Sequence, residues 1–237
     1  MAKKNMYLVI DTETANSVEE PFVYDIGYCI ADRKGNVKIE RSFVVAEIFC
    51  DYKDLMQSAY YAEKIPQYWD DIKSGKRELK SLFNIRKQII ADIKEHNVNI
   101  IAAYNAAFDK KALNNTIRYC SKSLIRWFFP FGLEYICIWH MACQTLLNTQ
   151  TYIRFAEKNG LESEKGNLLT SAEACYKYIN KNVDFIESHT ALEDVKIELE
   201  IMLKCFQTHK KMNPEIKRNC WQIPQKKRKE LRKKREK

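Results

Sequence analysis

The sequence predicts an α/β fold, a mixed five-stranded sheet with helices on both faces. Three observations carry this expectation. Residues 7–14, Tyr7-Leu8-Val9-Ile10-Asp11-Thr12-Glu13-Thr14, form a short and largely apolar run, and so do residues 99–105, Asn99-Ile100-Ile101-Ala102-Ala103-Tyr104-Asn105. Such runs suit strands buried on both faces. Residues 25–32 and 37–45 read as two more strands, joined by the hairpin-turn chemistry of Arg33-Lys34-Gly35-Asn36. Beyond them strands alternate with helical patterns, and three consecutive strands followed by such alternation indicate a mixed sheet covered by helices.

In chain order, residues 7–14, 25–32 and 37–45 make an antiparallel meander. From about 48 to 93 the pattern is helical, with Leu79, Leu82, Phe83, Ile89, Ile90 and Ile93 as expected core positions. Strand 99–105 precedes a helix over about 108–120. A last strand is expected over 134–138, followed mainly by helices to about 208. No internal repeat is present.

The 237 residues, 46% of them hydrophobic, suffice for one sizeable domain. No apolar run approaches the ~18 residues of a membrane span. Met1-Ala2-Lys3-Lys4 leads straight into the first strand, so no signal peptide is expected. These features, with the Lys-, Asn- and Ile-rich composition, suggest a cytoplasmic protein of a bacterium or a phage-infected cell and no membrane partner. Residues 226–237 hold nine Lys or Arg against two Glu, so most of the net charge of +9 sits there. The expected organisation is a domain over 1–209 and a basic, flexible tail over 210–237. Such a tail suits contact with a nucleic-acid backbone, or serves as a solubilising terminus. The eight cysteines contain no Cys-x-x-Cys pair and read as reduced core thiols. Cys137, His140 and Cys143 wind around a helix without a fourth ligand, so they too read as core rather than as a zinc site.

Chemistry concentrates at three places. Asp11 and Glu13 lie two apart at the end of a strand, so they project to one side. Two adjacent carboxylates repel unless a cation lies between them, and hard oxygen ligands suit Mg²⁺ or Mn²⁺. A solvated acidic loop is the plain alternative. Asn105-Ala106-Ala107-Phe108-Asp109 follows the second buried strand, where Asp109 serves either chemistry or helix capping. Ser188-His189-Thr190-Ala191-Leu192-Glu193-Asp194 has capping-box spacing at Thr190 and Glu193. His189 then falls just outside a helix, and Asp194 lies near its first turn.

Asp11-Thr-Glu13, Asn105-x-x-Phe108-Asp109 and His189-x-x-x-x-Asp194 together resemble the DEDDh group of 3′→5′ exonucleases. That group includes the proofreading subunit of bacterial replicative DNA polymerase, ribonuclease T and oligoribonuclease. The likeness runs from about residue 6 to 205. Thr190 stands where the sister group places Tyr, which indicates the His type. The resemblance implies a ribonuclease H-like sheet, two divalent cations (Mg²⁺ or Mn²⁺) and release of mononucleotides from a 3′ end. It further implies that Asp11 bridges both ions, Glu13 and Asp194 complete one site, and Asp109 supports the other. His189 becomes the general base, and Thr12, Thr14, Asn105 and Phe108 become contacts to the substrate.

Two departures stand out. Thr14-Ala15-Asn16 replaces the frequent Thr-Gly, and Asn tolerates the left-handed turn this needs. Cys137-Ile138-Trp139 stands where many members have Asp-Thr. The expected partner is single-stranded or 3′-ended nucleic acid, DNA before RNA, with a polymerase or other replication protein as a further partner. The alternatives are an RNA-trimming enzyme and, in another class, a nucleic-acid-binding replication subunit without turnover. Glu198 is expected to be solvated; Asp25 and the pair Asp70-Asp71 are expected to be structural or exposed. Tyr104, Trp127, Phe128 and Phe129 read as core rather than base-stacking residues. His140 and His209 belong to no partner pattern, and no glycine-rich phosphate loop is present.

Overall fold

The computed structural model describes residues 5–51 and 53–235. Six strands are present: β1 (Met6–Ala15), β2 (Phe22–Asp32), β3 (Val37–Val45), β4 (Glu78–Lys80), β5 (Ile100–Ala103) and β6 (Glu134–Cys137). They form one mixed sheet in the order β4-β3-β2-β1-β5-β6. The expected five strands are all present. The sixth, β4, lies inside the region read as helical: it is three residues long and pairs with Phe43–Val45 of β3. A strand that short leaves no periodic trace in a sequence.

The chain divides into two compact units. The first comprises the residues up to Ala102 together with Phe108–Glu134 and Ser188–Lys196. Its centre is β1, which pairs with β2 antiparallel and with β5 parallel, Tyr7 opposite Ile100 and Val9 opposite Ala102. Being central, β1 is covered on both faces, so Leu8, Val9 and Ile10 are buried in succession without polar alternation. The β2–β3 hairpin has buried residues throughout β2 but exposed ones over the first half of β3.

Helices of this unit are α1 (Ala46–Phe49), α2 (Lys53–Gln57), α3 (Ile65–Lys73), α4 (Leu82–Glu95) and most of α5 (Ala106–Ser121). Ser81 caps α4 by accepting from the Asn84 N–H, and the Glu47 carboxylate takes the Leu82 N–H at 2.9 Å. Both satisfy donors that the first turn of a helix leaves unpaired.

The second unit holds α6 (Ile138–Thr145), α7 (Gln150–Lys158) and α8 (Ala172–Asn180), with the later part of α9 (Ala191–Gln207) and α10 (Gln222–Arg235). Residues 222–235, expected within a solvated tail, are helical. Arg228 is buried and donates to Glu157 at 3.0 Å, to Glu162 and to the Gly166 carbonyl at 2.9 Å. Gln225 exchanges two hydrogen bonds with the backbone of Leu168. Counting charge alone hides this, because the segment's basic residues include those that pair internally. None of the eight cysteines forms a disulfide, and Cys137, His140 and Cys143 are buried, as core residues should be. The His140 Nδ1 is hydrogen-bonded to the Glu215 carbonyl.

Candidate active site

At the end of β1, the strand alternation keeps Asp11 and Glu13 on one side. A register shift follows immediately between Glu13 and Thr14, where two residues of β2 oppose one of β1. Such bulges bend a strand and re-aim its side chains. Asp194, in the first turn of α9, brings the third carboxylate. One oxygen from each of Asp11, Glu13 and Asp194 lies within 4.8 Å of the others, Asp194 being buried. Three anions this close repel strongly in a partly desolvated site unless a cation separates them. A set of converging carboxylate oxygens fits a hard divalent ion.

Asp109 stands outside this group of three. It is buried in the first turn of α5, and its Oδ1 accepts from the Thr12 hydroxyl at 2.9 Å. Burial pushes its carboxyl up to about 7, against the pull of the Thr12 hydrogen bond. Because β1 and β5 run parallel, Asp11 at the end of one and Asp109 just after the other emerge at the same sheet edge. Open α/β sheets bind ligands at such carboxyl ends.

His189 lies one residue before Thr190, outside α9, with φ 48°, a left-handed conformation. Its ring stacks on Tyr61, centroids 4.2 Å apart and planes within 13°. Lys64 Nζ donates to the Ser188 carbonyl, and the Ser188 hydroxyl donates to Asp194 Oδ1 at 3.3 Å. The loop carrying the histidine is therefore held at its side chain, its backbone and its neighbour. Tyr61 and Lys64 lie more than 120 residues away in sequence, and no local pattern marks them.

Asp25 and Arg77 fix α9 itself. Asp25 is buried and accepts from the Ala191 N–H at 3.0 Å, from the Tyr68 hydroxyl at 2.7 Å and from Arg77 at 3.1 Å. Arg77, also buried, donates in addition to Ser42, Asp71 and Glu193. Burial raises the Asp25 carboxyl, and the Arg77 guanidinium pulls against it. Burial also raises the Glu193 carboxyl, yet the Thr190 hydroxyl, Arg77 and Lys76 outweigh it and hold that group down to about 2. Thus Thr190 and Glu193 pair side chain to side chain at 2.7 Å, while the helix's first N–H is satisfied by a residue on another strand. Gly27 completes the arrangement. It pairs with Asp11 across β1–β2, and a Cβ there would lie 2.2 Å from the Leu192 nitrogen. Only a glycine lets α9 approach β2 this closely.

Of the residues expected to touch substrate, Thr12 bonds Asp109, Thr14 and Phe108 are half-buried, and Asn105 is exposed with φ 68°. Asn16 adopts φ 72°, the left-handed turn expected of it, and its N–H donates to Ser58. Glu198 is not solvated: it is buried, and it accepts from the Tyr104 N–H at 3.1 Å. Asp71 binds Arg77, whereas Asp70 is exposed. Phe128 and Phe129 are core, but Trp127 is 44% exposed.

No protein-family model matches the chain, and no curated protein matches it. Solved structures do. E. coli exonuclease I in complex with a 5cy-dT13 oligonucleotide is 15% identical with a TM-score of 0.54, over 87% of this chain and 42% of that one. Its complex with a dT13 oligonucleotide is 16% identical (TM-score 0.53; 85% and 41%). The zinc-ion-bound form of its complex with single-stranded DNA is 13% identical (TM-score 0.52; 88% and 41%). This chain therefore spans about two fifths of the exonuclease I chain. The likeness shows a shared fold, the ribonuclease H-like mixed α/β sheet.

Proposed function

We propose that the chain is a divalent-metal-dependent 3′→5′ exonuclease that releases nucleoside monophosphates from single-stranded or frayed DNA ends. The observation that carries this is the convergence of Asp11, Glu13 and Asp194 within 4.8 Å at the carboxyl end of β1. These three, with Asp109 beside them on the same sheet edge, would hold the Mg²⁺ or Mn²⁺ ions. When bound, a pair of such ions stabilises charge on the attacking and leaving oxygens of phosphodiester hydrolysis. His189 accepts the proton of the attacking water, a role worth ~10²–10⁴-fold. Its stack on Tyr61 and the anchored Ser188 backbone restrict where that imidazole can point. Thr12, Thr14, Asn105 and Phe108 contact the terminal nucleotide. Complexes of the fold relatives with single-stranded oligonucleotides support DNA as the substrate class.

The test is a time course with 5′-labelled single-stranded DNA and matched RNA in Mg²⁺, Mn²⁺ and EDTA, beside Asp11→Ala. Ladders shortening from the 3′ end, dependent on metal and absent in the variant, are expected, with DNA consumed faster. Faster loss of RNA would reassign the substrate to the RNA-trimming class. No shortening of either strand would leave a nucleic-acid-binding protein without turnover.

A further inference from the structure

Beyond the acidic cluster, the first unit contains a cavity of about 510 Å³ along one face of α5. Lys111 and Arg118, seven residues apart on one side of α5, line it together with Lys122, which directly follows the last residue of that helix. Lys111 and Arg118 lie ~10 Å apart along the helix at 1.5 Å per residue. Among the described residues none of the three takes part in an ion pair. Lys111 Nζ donates to the Val18 carbonyl at 3.3 Å and Arg118 Nε to the Arg126 carbonyl at 3.1 Å. Glu19 and Glu20 also border the cavity, leaving a net positive lining. Its floor is aromatic: Tyr119, 39% exposed, packs against Phe22 with centroids 4.6 Å apart. The Arg118 guanidinium lies 5.0 Å from the centre of the exposed Trp127 ring.

We infer that this groove is a second contact for the substrate strand, holding nucleotides upstream of the one being removed. The inference rests on the nuclease reading for the direction of the strand. Cations free of carboxylate partners, interleaved with accessible aromatic faces, are the chemistry that holds single-stranded nucleic acid without reading its sequence. The groove begins at Lys111, whose Nζ reaches the Val18 carbonyl three residues past the end of β1, the strand that carries Asp11 and Glu13, and it runs toward the far end of α5. A strand whose 3′ end reaches the acidic cluster would lay its phosphates on Lys111, Arg118 and Lys122. Tyr119 and Trp127 would offer stacking faces to its bases.

The test is fluorescence anisotropy with a 15-nucleotide strand and a trinucleotide, in EDTA so that nothing is cleaved, from 50 to 200 mM salt. Arg118→Gln/Lys122→Gln is expected to weaken 15-mer binding about tenfold and to lower the salt slope by ~1.4, at ~0.7 for each phosphate no longer neutralised. The trinucleotide, too short to reach the groove, should respond far less. If removing the Arg118–Arg126 bond disturbs the loop, Lys111→Gln/Lys122→Gln provides the same readout with that bond intact. Equal 15-mer affinity and salt slope in wild type and variants would overturn the groove, as would a wild-type affinity independent of strand length. Length-dependent binding that the variants weaken, in a protein without Mg²⁺- or Mn²⁺-driven turnover, would sink the nuclease reading and leave the groove standing.

Discussion

The Asp25 carboxylate accepts a hydrogen bond from the Ala191 N–H at 3.0 Å, although 166 residues separate the two in sequence. A strand of the meander thereby caps the helix that presents Asp194. The anion also complements the positive end of the helix dipole, and Arg77 completes its neutralisation from the other side. Removing Asp25 takes away both the cap and the guanidinium's buried partner.

Asp25→Ala should therefore cost about 3 kcal/mol or more, in the range expected when one partner of a buried ion pair is removed. Urea denaturation of wild type and variant measures it. A loss below about 1 kcal/mol would show that Asp71 and Glu193 alone satisfy Arg77.

Gly27→Ala places a methyl group where backbone atoms of Ala191 and Leu192 now lie, 2.3 and 2.2 Å away. Helix α9 must move off β2, carrying Asp194 away from Asp11 and Glu13. Overpacking of this kind costs about 1–3 kcal/mol. We expect in addition at least a tenfold loss of Mn²⁺ affinity by titration calorimetry. Unchanged affinity in a destabilised protein would separate this packing from the site.

Glu193 gives a pH signature. Its carboxyl is held down to about 2 in the folded protein, below the ordinary 4.5. A depressed carboxyl stabilises the fold above the unfolded value and loses that contribution as pH falls through the folded one. The expected stabilisation is about 2–3 kcal/mol near neutrality. The difference in stability between wild type and Glu193→Gln should hold above pH 4.5, shrink below it and vanish near pH 2. A difference constant across that range would assign the effect to packing instead.

His189→Gln keeps a polar side chain but cannot accept and release a proton near neutral pH. Its kcat should fall ~10²–10⁴-fold, with Mn²⁺ affinity within twofold of wild type. A parallel fall in metal affinity would make His189 a residue of the metal site instead.

What could be read from residue order was local. Asp11 and Glu13 are two apart on a strand, and Thr190 and Glu193 are three apart at a helix start, so period alone predicts their shared faces. Asn16 could be assigned a left-handed turn because few other residues accept one. Asp25, Arg77, Tyr61 and Gly27 were not legible in this way. Each acts on residues at least 110 positions distant, and its immediate neighbours look the same whether the side chain is buried or solvated. Arg77 illustrates this. It follows Ser74-Gly75-Lys76, an ordinary surface turn in sequence, yet it is among the largest fully buried side chains. Trp127 departs in the other direction, an aromatic in a dense aromatic stretch that the fold leaves in solvent.

Helix α10 bears on how the chain can be handled. Composition invites trimming at residue 210 to obtain a smaller, less sticky protein. That cut would strip Glu157 and Glu162 of their guanidinium, leave the Leu168 backbone without its amide partner and uncover the apolar surfaces of α6 and α7. The shortened protein would precipitate rather than gain solubility, and a purification handle fused after residue 235 is the safer choice.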